Sequence, residues 1–503
     1  MSQDFINGKM IRVEKGDGQF KDVSPADLSD VVMTVKYSHA HVDAAVEAAK
    51  KAYGTWSRLS IDERKTHLLR LKEVFEKNKE QIAIAISRDT GKPKWEALTE
   101  ATALTSKIDI TLNFSMKLVA EEHVPNALPG VEGVIRHRSR GVMAVIGPFN
   151  FPAHLPNGHI IPSLITGNTV VFKPSEQTPL VGELMAQCYQ QAELPPGVFN
   201  MIQGDGESGR RLVAHEHVDG VLFTGSYEVG LKIKQETINH YWKILALEMG
   251  GKNATVVWDD AEMDKAIYET LIGAFMSTGQ RCSGTSRVIL HDAIADKFTD
   301  RFYEAAKKLT IGHWKDDPFM GPLINEAAVE KYVRFQEIAK RENCESLMRG
   351  KQLDLKTKGH YVTPSINLVN KFDPNSIYQK SEIFGPNVAI YRTSDFDHAM
   401  TMVNSTGYGL AMALFSKSRS LYEKALIDAR VGILNWNRTT NGASSRLPFG
   451  GLGKSGNDRP SAHFAVQYTT IPMASLEDPT PFAGTKLLPG VTFEGSSDSD
   501  RKN

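Results

Sequence analysis

Cysteine is scarce in this chain, which has only Cys188, Cys282 and Cys344 among its 503 residues. Three cysteines cannot build a disulfide framework, and their spacing is not that of a metal site, so we expect no bound metal. Such usage fits a reducing compartment best. The first ten residues show no basic segment followed by an apolar core, so no secretory signal is predicted. These absences together predict a cytoplasmic protein.

An excess of charge of either sign is also missing. Lys and Arg total 59, as do Asp and Glu, which gives a formal net charge of zero. Because nucleic-acid-binding domains are typically basic, we expect no nucleic-acid partner. No apolar run approaches the length that crosses a bilayer, so we expect no membrane partner. With 41% hydrophobic residues, a chain of this length is expected to form two or three soluble domains.

Short apolar segments alternate with helical patterns over most of the chain. Residues 42–79 and 95–114 have the spacing of helices, and Gly91 followed by Pro93 predicts a helix end between them. Strands are predicted at 131–145, 169–172, 198–202, 220–223, 244–247 and 254–257. Helices separate several of these strands, which indicates a parallel sheet covered on both faces. A second such set is predicted to run to about residue 434.

Two glycine-rich turns follow predicted strands. The segment 204–209 matches G-x-G-x-x-G, but it comes late in the alternating region and lacks the expected acidic residue on the next strand, which favours an ordinary strand-to-helix turn. Residues 223–230 are the better phosphate candidate. There Gly225 lets the backbone turn off a strand, Ser226 can cap a helix or donate to a phosphate, and Gly230 falls within the helix.

Lys173 comes just after a predicted strand, where open α/β sheets bind ligands. A lysine at such a place is commonly a surface charge, but beside a cofactor it can bind ribose hydroxyls. Glu176, three residues further on, is placed to accept a hydrogen bond from an adenosine 2′-hydroxyl. A carboxylate there would repel a 2′-phosphate, so the pair predicts NAD rather than NADP.

Three further residues have the side chains that aldehyde oxidation by a thiol requires. Cys282 offers a nucleophile that adds to a carbonyl carbon, Asn150 an amide donor for the resulting oxyanion, and Glu248 a carboxylate that activates water. Each also has an ordinary structural interpretation, since buried cysteines are commonly inert and acidic residues often cap strand ends. The combination, in this order along the chain, is what indicates catalysis.

These segments resemble the aldehyde dehydrogenase superfamily over nearly the whole chain. The motifs that carry the resemblance are Gly147-Pro-Phe-Asn150, Phe172-Lys-Pro-Ser-Glu176, Phe223-Thr-Gly-Ser226, Leu247-Glu-Met-Gly-Gly-Lys-Asn253, Gly279-Gln-Arg-Cys282, Glu382-Ile-Phe-Gly-Pro386 and Pro448-Phe-Gly-Gly451. The resemblance implies that Cys282 attacks the aldehyde, that Asn150 holds the oxyanion and that Glu248 activates water for hydrolysis. It also implies that Glu382 and Phe384 join the cofactor-binding residues.

The same resemblance implies an α/β fold of two doubly wound parallel-sheet domains plus a small β oligomerisation arm. The expected boundaries are 1–122 and 144–251 for the NAD-binding domain, 252–452 for the catalytic domain, 123–143 and 466–485 for the arm, and 486–503 for a flexible tail. The arm implies a homodimer or a dimer of dimers. The expected small-molecule partner is an aldehyde.

A narrower resemblance points to the branch of this superfamily that oxidises N-succinylglutamate 5-semialdehyde in arginine catabolism. It is carried by residues 151–159, 435–445, 456–462 and 472–476. Such a substrate has two carboxylates besides the aldehyde, so the pocket should supply cationic or several neutral donors. Arg438 and Arg446, which flank the loop Thr-Thr-Asn-Gly-Ala-Ser-Ser, are the candidates, although each would serve equally well in a surface ion pair.

Three alternatives remain open at this stage. The substrate could be another semialdehyde, such as that of glutamate or succinate. A coenzyme-A-acylating enzyme is disfavoured because Glu248 suits a hydrolytic final step. An inactive structural or binding member of the superfamily is disfavoured because both the nucleophile and the base are present.

Overall fold

The computed structural model describes residues 2–481 and 488–491. It divides the chain into two compact units, the first formed by Met1–Val119 and Ser139–Ile471 and the second by Ala120–Arg138 and Pro472–Asn503. Apart from 488–491, the expected flexible tail 486–503 lies outside the described residues. Within the part of the chain that is described, no helix is both long enough and apolar enough to cross a membrane.

The helices are α1 (Ala40–Trp56), α2 (Ile61–Lys77), α3 (Lys79–Thr90), α4 (Lys94–Asn113), α5 (His154–Ile165), α6 (Pro179–Gln191), α7 (Gly206–Ala214), α8 (Tyr227–Glu236), α9 (Met263–Phe275), α10 (Asp292–Lys307), α11 (Glu326–Arg341), α12 (Ile377–Lys380), α13 (Phe396–Asn404), α14 (Arg419–Asp428) and α15 (Ala465–Tyr468). Short 3₁₀ turns occur at Ser115–Val119, Met276–Gly279 and Trp314–Asp316.

The strands are β1 (Gln3–Ile6), β2 (Lys9–Arg12), β3 (Gly18–Val23), β4 (Val31–Tyr37), β5 (Glu122–Leu128), β6 (Val131–Ser139), β7 (Val142–Ile146), β8 (Thr169–Lys173), β9 (Phe199–Met201), β10 (Gly220–Thr224), β11 (Ile244–Glu248), β12 (Asn253–Val257), β13 (Thr285–Leu290), β14 (Glu345–Met348), β15 (Ser365–Leu368), β16 (Asn387–Arg392), β17 (Tyr408–Gly409), β18 (Ala411–Phe415), β19 (Ile433–Trp436), β20 (Pro448–Phe449), β21 (Leu452–Gly453), β22 (Ser461–Ala462) and β23 (Thr470–Glu477).

The first large sheet has the strand order β11-β10-β7-β8-β9-β1-β2. Strands β7 to β11 pair in parallel, whereas β1 and β2 add an antiparallel edge. Alternate residues of β7 enter opposite cores, because Met143 and Val145 pack on one face and Val142 and Ala144 on the other. Successive side chains of a strand point to opposite faces, so a strand buried on both sides must be apolar throughout, as the predicted strands are.

The second large sheet has the order β14-β15-β16-β13-β12-β18-β19 and is parallel except for its edge strand β14. It also has a core on each face, with Ala254 and Val256 of β12 on one side and Val257 on the other. The predicted α/β class with two helix-covered parallel sheets is therefore confirmed. The antiparallel edges are an addition that the apolar pattern did not reveal.

Helix boundaries follow the local chemistry of the chain. Gly91, just after α3, has a left-handed φ of 72°, which glycine tolerates and which ends the helix where the sequence predicts. Ser60 and Glu63 form a capping box at the start of α2, each side chain bonding the other residue's backbone N–H. The predicted helix 95–114 matches α4 to within one residue at each end.

The second unit contains most of a three-stranded sheet of order β23-β6-β5. Every residue of the edge strand β5 is exposed. Arg136 of β6 binds the Ser475 hydroxyl at 3.0 Å and also pairs with Glu121 at 2.8 Å. The single strand predicted at 131–145 is in fact two strands, β6 and β7, which belong to different sheets.

Candidate active site

A cavity of about 710 Å³ is lined by the segments that follow the parallel strands of the first sheet. Strand order in that sheet reverses between β7 and β10. Strands β8 and β9 lie on one side of β7, whereas β10 and β11 lie on its other side. Ligands of open α/β sheets bind at the carboxyl ends of the strands next to such a reversal. The cavity-lining residues after these strands are Gly147–Asn150, Ser175–Glu176, Gly225–Ser226 and Met249–Gly250.

Cys282 lines this cavity and follows a strained turn. Ser277, Thr278 and Gly279 are successive residues with left-handed φ values of 53°, 54° and 68°. Left-handed backbone costs an ordinary residue about 1–2 kcal/mol and tends to occur at functional sites. Side-chain bonds hold the turn, because the Thr278 hydroxyl donates to the Gly321 carbonyl at 3.0 Å and Arg281 Nε donates to the Ser277 hydroxyl at 2.8 Å.

The backbone of Cys282 is held from the other side by the Gly-Gly-Lys-Asn segment. The Asn253 side-chain amide donates to the Cys282 carbonyl at 2.7 Å and to the Gly284 carbonyl at 3.0 Å. A side chain at Gly251 would come within 2.4 Å of the same Cys282 carbonyl, so only glycine permits this approach. The motif therefore fixes the position of the thiol.

The surroundings of Cys282 favour the protonated thiol. Burial, together with the nearby carboxylates of Glu248 and Glu382, raises its pKa to about 12. The nucleophilic form is the thiolate, so this environment requires that the proton be removed when substrate is present.

Asn150 is buried, with 7% of its surface exposed, and its amide is fixed on both sides. Its Nδ2 donates to the Gln280 carbonyl at 2.9 Å, and its Oδ1 accepts from the Phe151 backbone N–H at 3.1 Å. The buried ammonium of Lys92 donates to the Asn150 carbonyl at 2.7 Å. An amide nitrogen has two N–H donors, and the described residues use one of them, so the other can serve a ligand in the cavity that Cys282 also lines.

Glu248 ends strand β11 and extends a buried carboxyl group into the same cavity. Burial raises its pKa well above the ordinary range of a glutamate, and a backbone bond from Ser461 offsets this only in part. Its Oε2 has no hydrogen-bond partner among the described residues. A carboxylate with a raised pKa is a stronger base than that of an ordinary glutamate, which suits it to accept a proton from water.

Glu382 and Phe384 form another part of the cavity wall. The Glu382 carboxylate accepts from the Gly251 N–H at 2.8 Å, and burial raises its pKa to about 7. A side chain at Gly250 would lie 2.0 Å from this carboxylate, so glycine is required for the contact. Phe384 has a left-handed φ of 59°, and its ring meets Phe149 edge to face at 5.8 Å.

The other predicted cofactor residues divide between the cavity wall and its support. Glu176 and Ser226 are exposed lining residues, and Ser226 Oγ also caps α8 by accepting from the Val229 N–H. Lys173 lies behind the wall, where burial lowers its pKa and its ammonium lies 3.6 Å from the Glu176 carboxylate. Gly230 is also behind the wall, since a side chain there would meet Met249 at 2.4 Å.

These features fit a dinucleotide. A side chain at Gly225 would fall within 2.4 Å of the Phe223 ring, so this position requires glycine. Without a side chain there, a phosphate can approach the backbone N–H groups of the turn after β10. Glu382 and Glu176 supply carboxylate acceptors of the kind that bind ribose hydroxyls. The segment 204–209 does not line the cavity, and Asp205 caps α7 by accepting from the Ser208 N–H at 2.9 Å, so it forms the ordinary turn that the sequence favoured.

Arg438 and Arg446 do not line the cavity. Arg438 has an exposed side chain with its guanidinium 3.8 Å from Glu269, and Arg446 stacks its guanidinium over the Phe114 ring at 4.6 Å. The loop that they flank does reach the cavity, through Asn441 and Ala443–Ser445. Substrate binding by the two arginines stays a prediction, one that this lining does not favour.

Sequence reasoning gave no ligand-binding role to a second set of lining residues: Lys107, His154, His159 and Arg281. Arg281 pairs with the buried Glu96 at 2.8 Å. Burial lowers the pKa of His154 to about 4 and that of His159 to about 3, so both are neutral near pH 7. Polar residues at the buried positions of a helix such as α4 are the one signal that could have indicated these lining residues.

No group of His, Cys, Asp or Glu among the described residues is arranged to hold a metal.

The chain belongs to the aldehyde dehydrogenase family, whose profile matches residues 12–473. The resemblance noted from the motifs is thus confirmed, and the protein is an aldehyde dehydrogenase. The N-succinylglutamate 5-semialdehyde dehydrogenase of Escherichia coli K12 is 41% identical over 457 residues, which are 90% of this chain and 92% of the relative.

Solved structures of the family agree. A 1-pyrroline-5-carboxylate dehydrogenase from Thermus with bound NAD superposes with a TM-score of 0.88 at 30% identity, covering 95% of this chain and 92% of that one. An NADP-dependent enzyme from E. coli gives 0.89 at 28% identity, covering 95% and 98%. Both cofactors therefore occur on this fold.

Proposed function

We propose that the protein oxidises N-succinyl-L-glutamate 5-semialdehyde to N-succinyl-L-glutamate with NAD, as a step of arginine catabolism. The observation that carries the chemistry is the meeting of Cys282, Asn150 and Glu248 in one cavity with Glu382 and Glu176. The choice of substrate is supported by the 41% identity to the E. coli enzyme named for it.

The reaction follows from the side chains in order. The Cys282 thiolate forms a C–S bond to the aldehyde carbon, and the carbonyl π pair becomes an oxyanion that Asn150 binds. The C=O bond re-forms as hydride leaves the carbon, which yields a thioester. The nicotinamide of the cofactor, when bound, supplies the hydride acceptor. Water then adds to the thioester, Glu248 takes its proton, and the C–S bond breaks. Overall, aldehyde and water give a carboxylate, a hydride and two protons.

The direct test compares kcat/KM for three substrates, with NADH formation as the measured signal. The substrates are the semialdehydes of N-succinylglutamate, glutamate and succinate. A preference of about 100-fold or more for the succinylated substrate is expected, since hydrogen bonds to charged groups contribute about 1.5–3 kcal/mol each. No preference, or a preference for a smaller aldehyde, would refute the substrate assignment and leave the Cys282 chemistry standing. Rates that depend on coenzyme A would refute the hydrolytic ending.

Replacing Asn150 by alanine should lower kcat by about 10²-fold, because loss of one oxyanion donor has about that effect. KM should change less, since the donor acts mainly on the charge formed in the reaction. Steady-state kinetics of the purified variant will measure both. A change confined to KM would mean that Asn150 binds the substrate rather than the oxyanion.

Glu176→Gln should shift cofactor preference towards NADP. The carboxylate would repel a 2′-phosphate, and the neutral amide removes that repulsion while keeping an acceptor. We expect the ratio of kcat/KM for NADP to that for NAD to rise about tenfold. The measurement uses saturating aldehyde and varied cofactor. An unchanged ratio would show that Glu176 does not face the ribose 2′ position.

We also infer a homodimer or a dimer of dimers. Strand β5 is an edge strand with every residue exposed, and Val124 and Leu128 are among its apolar side chains. Unpaired strand edges are templates for pairing with another chain. Light scattering of the purified protein should give a mass of two or four chains, and a monomer would contradict this role for the 123–143 arm.

A further inference from the structure

One face of helix α4 forms part of the cavity wall. Its lining residues, Glu96, Thr99, Glu100, Ala103 and Lys107, recur every three or four positions, as residues on a single helix face do. Lys107 is 1% exposed, and its ammonium donates to the Ala462 carbonyl at 2.8 Å. Ala462 also lines the cavity. Lys107 therefore places a buried amino group in the wall of the active-site cavity.

Lys107 differs from Lys92 and Arg281, two other buried cations of this region, because no acidic side chain pairs with it. Lys92 pairs with Glu100 and Arg281 with Glu96, each at 2.8 Å. No carboxylate among the described residues comes within 4.0 Å of the Lys107 ammonium, which has three donors and one acceptor. Burial alone lowers its pKa to about 7, with no compensating negative charge.

Two histidines that are neutral near pH 7 lie close to Lys107. His154 and His159 lie close enough for the charge of Lys107 to lower the pKa of each, and burial lowers them more. The Ser444 and Ser445 side chains belong to the same cavity wall. A buried ammonium without a counter-ion is costly, and an anionic ligand beside it would stabilise the charged form.

Lys107 lies about three turns along α4 from the part of the helix that contacts Arg281. Glu96 is bound to Arg281, the neighbour of Cys282, and Lys107 follows it by eleven residues, roughly 16 Å along the helix axis. In N-succinylglutamate 5-semialdehyde the succinyl carboxylate lies eight bonds from the aldehyde carbon, about 10 Å when extended. The other carboxylate lies four bonds away.

We propose that Lys107 is a specificity-determining residue that binds the succinyl carboxylate of the substrate. This inference rests on the proposed function and adds to it the residue that recognises the distal charge. An ammonium buried opposite a carboxylate forms a charge-assisted hydrogen bond, the stronger kind. The same site gives no advantage to an aldehyde that ends in an uncharged group.

The test compares wild type, Lys107→Met and the control Lys94→Met, which removes an exposed lysine from the same helix. The substrates are N-succinylglutamate 5-semialdehyde, its N-acetyl analogue, which lacks the distal carboxylate, and pentanal. We expect Lys107→Met to lower kcat/KM for the succinyl substrate about 10- to 100-fold, mainly through KM, and to change the other two less than about threefold. Lys94→Met should behave as wild type.

An equal loss of kcat/KM on all three substrates would overturn the proposal. An equal loss on the succinyl and acetyl substrates would also overturn it, because the acetyl substrate lacks the distal carboxylate. A wild-type enzyme that shows no preference for the succinyl substrate would instead refute the proposed function, before any variant is considered. Calorimetric titration with the product N-succinyl-L-glutamate gives a readout independent of turnover. Its Kd should rise about 10- to 100-fold in Lys107→Met, whereas that of N-acetyl-L-glutamate should not, and unchanged binding of both would overturn the proposal.

Discussion

Cys282→Ser is expected to lower kcat for aldehyde oxidation by about 10⁴-fold or more, the scale of losing a catalytic nucleophile. A serine hydroxyl is a much weaker nucleophile than a thiolate, and the neighbouring Glu248 and Glu382 disfavour any anion at this position. The purified variant should show no first-turnover burst of NADH and only the residual steady-state rate that this loss implies. Its melting temperature should stay near that of wild type, because the substitution conserves shape.

Cys344→Ser is the matched control, since Cys344 is buried outside the cavity wall and should not affect the rate. Iodoacetamide gives a second check. Among the three cysteines only Cys282 lines the cavity, so alkylation should inactivate wild type and be slowed by the bound product N-succinyl-L-glutamate. A Cys282→Ser enzyme that retained wild-type activity would refute the mechanism.

Much of this site could be predicted because its residues lie at strand ends and in short motifs. When helices connect parallel strands, the carboxyl ends of those strands meet at one edge of the sheet. This topology places Asn150 after β7, Gly225 after β10 and Glu248 at the end of β11 around the same cavity. The glycines beside them are equally local signals. Gly250 and Gly251 are fixed by the close approach of Glu382 and of the Cys282 carbonyl.

The residues that recognise the substrate were harder to predict, because the direction of a side chain depends on tertiary packing. Arg438 and Arg446 flank a loop that reaches the cavity, yet their own side chains are exposed. Lys107 sits inside a helix without any motif. A charge on a buried helix face was its only signal, and that signal has meaning only once the face is known to line a cavity.

Lys173 and Gly230 show a related limit. Both were predicted to contact the cofactor, and both lie behind residues that line the cavity. The position of a motif in the sequence indicates which segment of the chain approaches a ligand. The direction in which each side chain points from its strand or helix decides which of them contacts the ligand. Their contact with the cofactor stays a prediction.

Glu248→Gln should separate the two halves of the reaction. Hydride leaves the carbon before water is needed, so the variant should still give a burst of about one NADH per site, whereas steady-state turnover should fall about 10³-fold for want of a base. Stopped-flow absorbance at the NADH band measures both phases. Glu423→Gln, at an exposed glutamate paired with Arg419, is the control and should leave both unchanged.

The pH dependence gives the same assignment a second test. Burial raises the pKa of Glu248, so its carboxyl stays protonated to a higher pH than an ordinary glutamate and cannot accept a proton there. Wild-type turnover should therefore fall as the pH drops through that raised pKa, and this acidic limb should be absent from the residual turnover of Glu248→Gln. Loss of the burst together with turnover would instead assign Glu248 to thiol activation, because the carbon would then never be attacked.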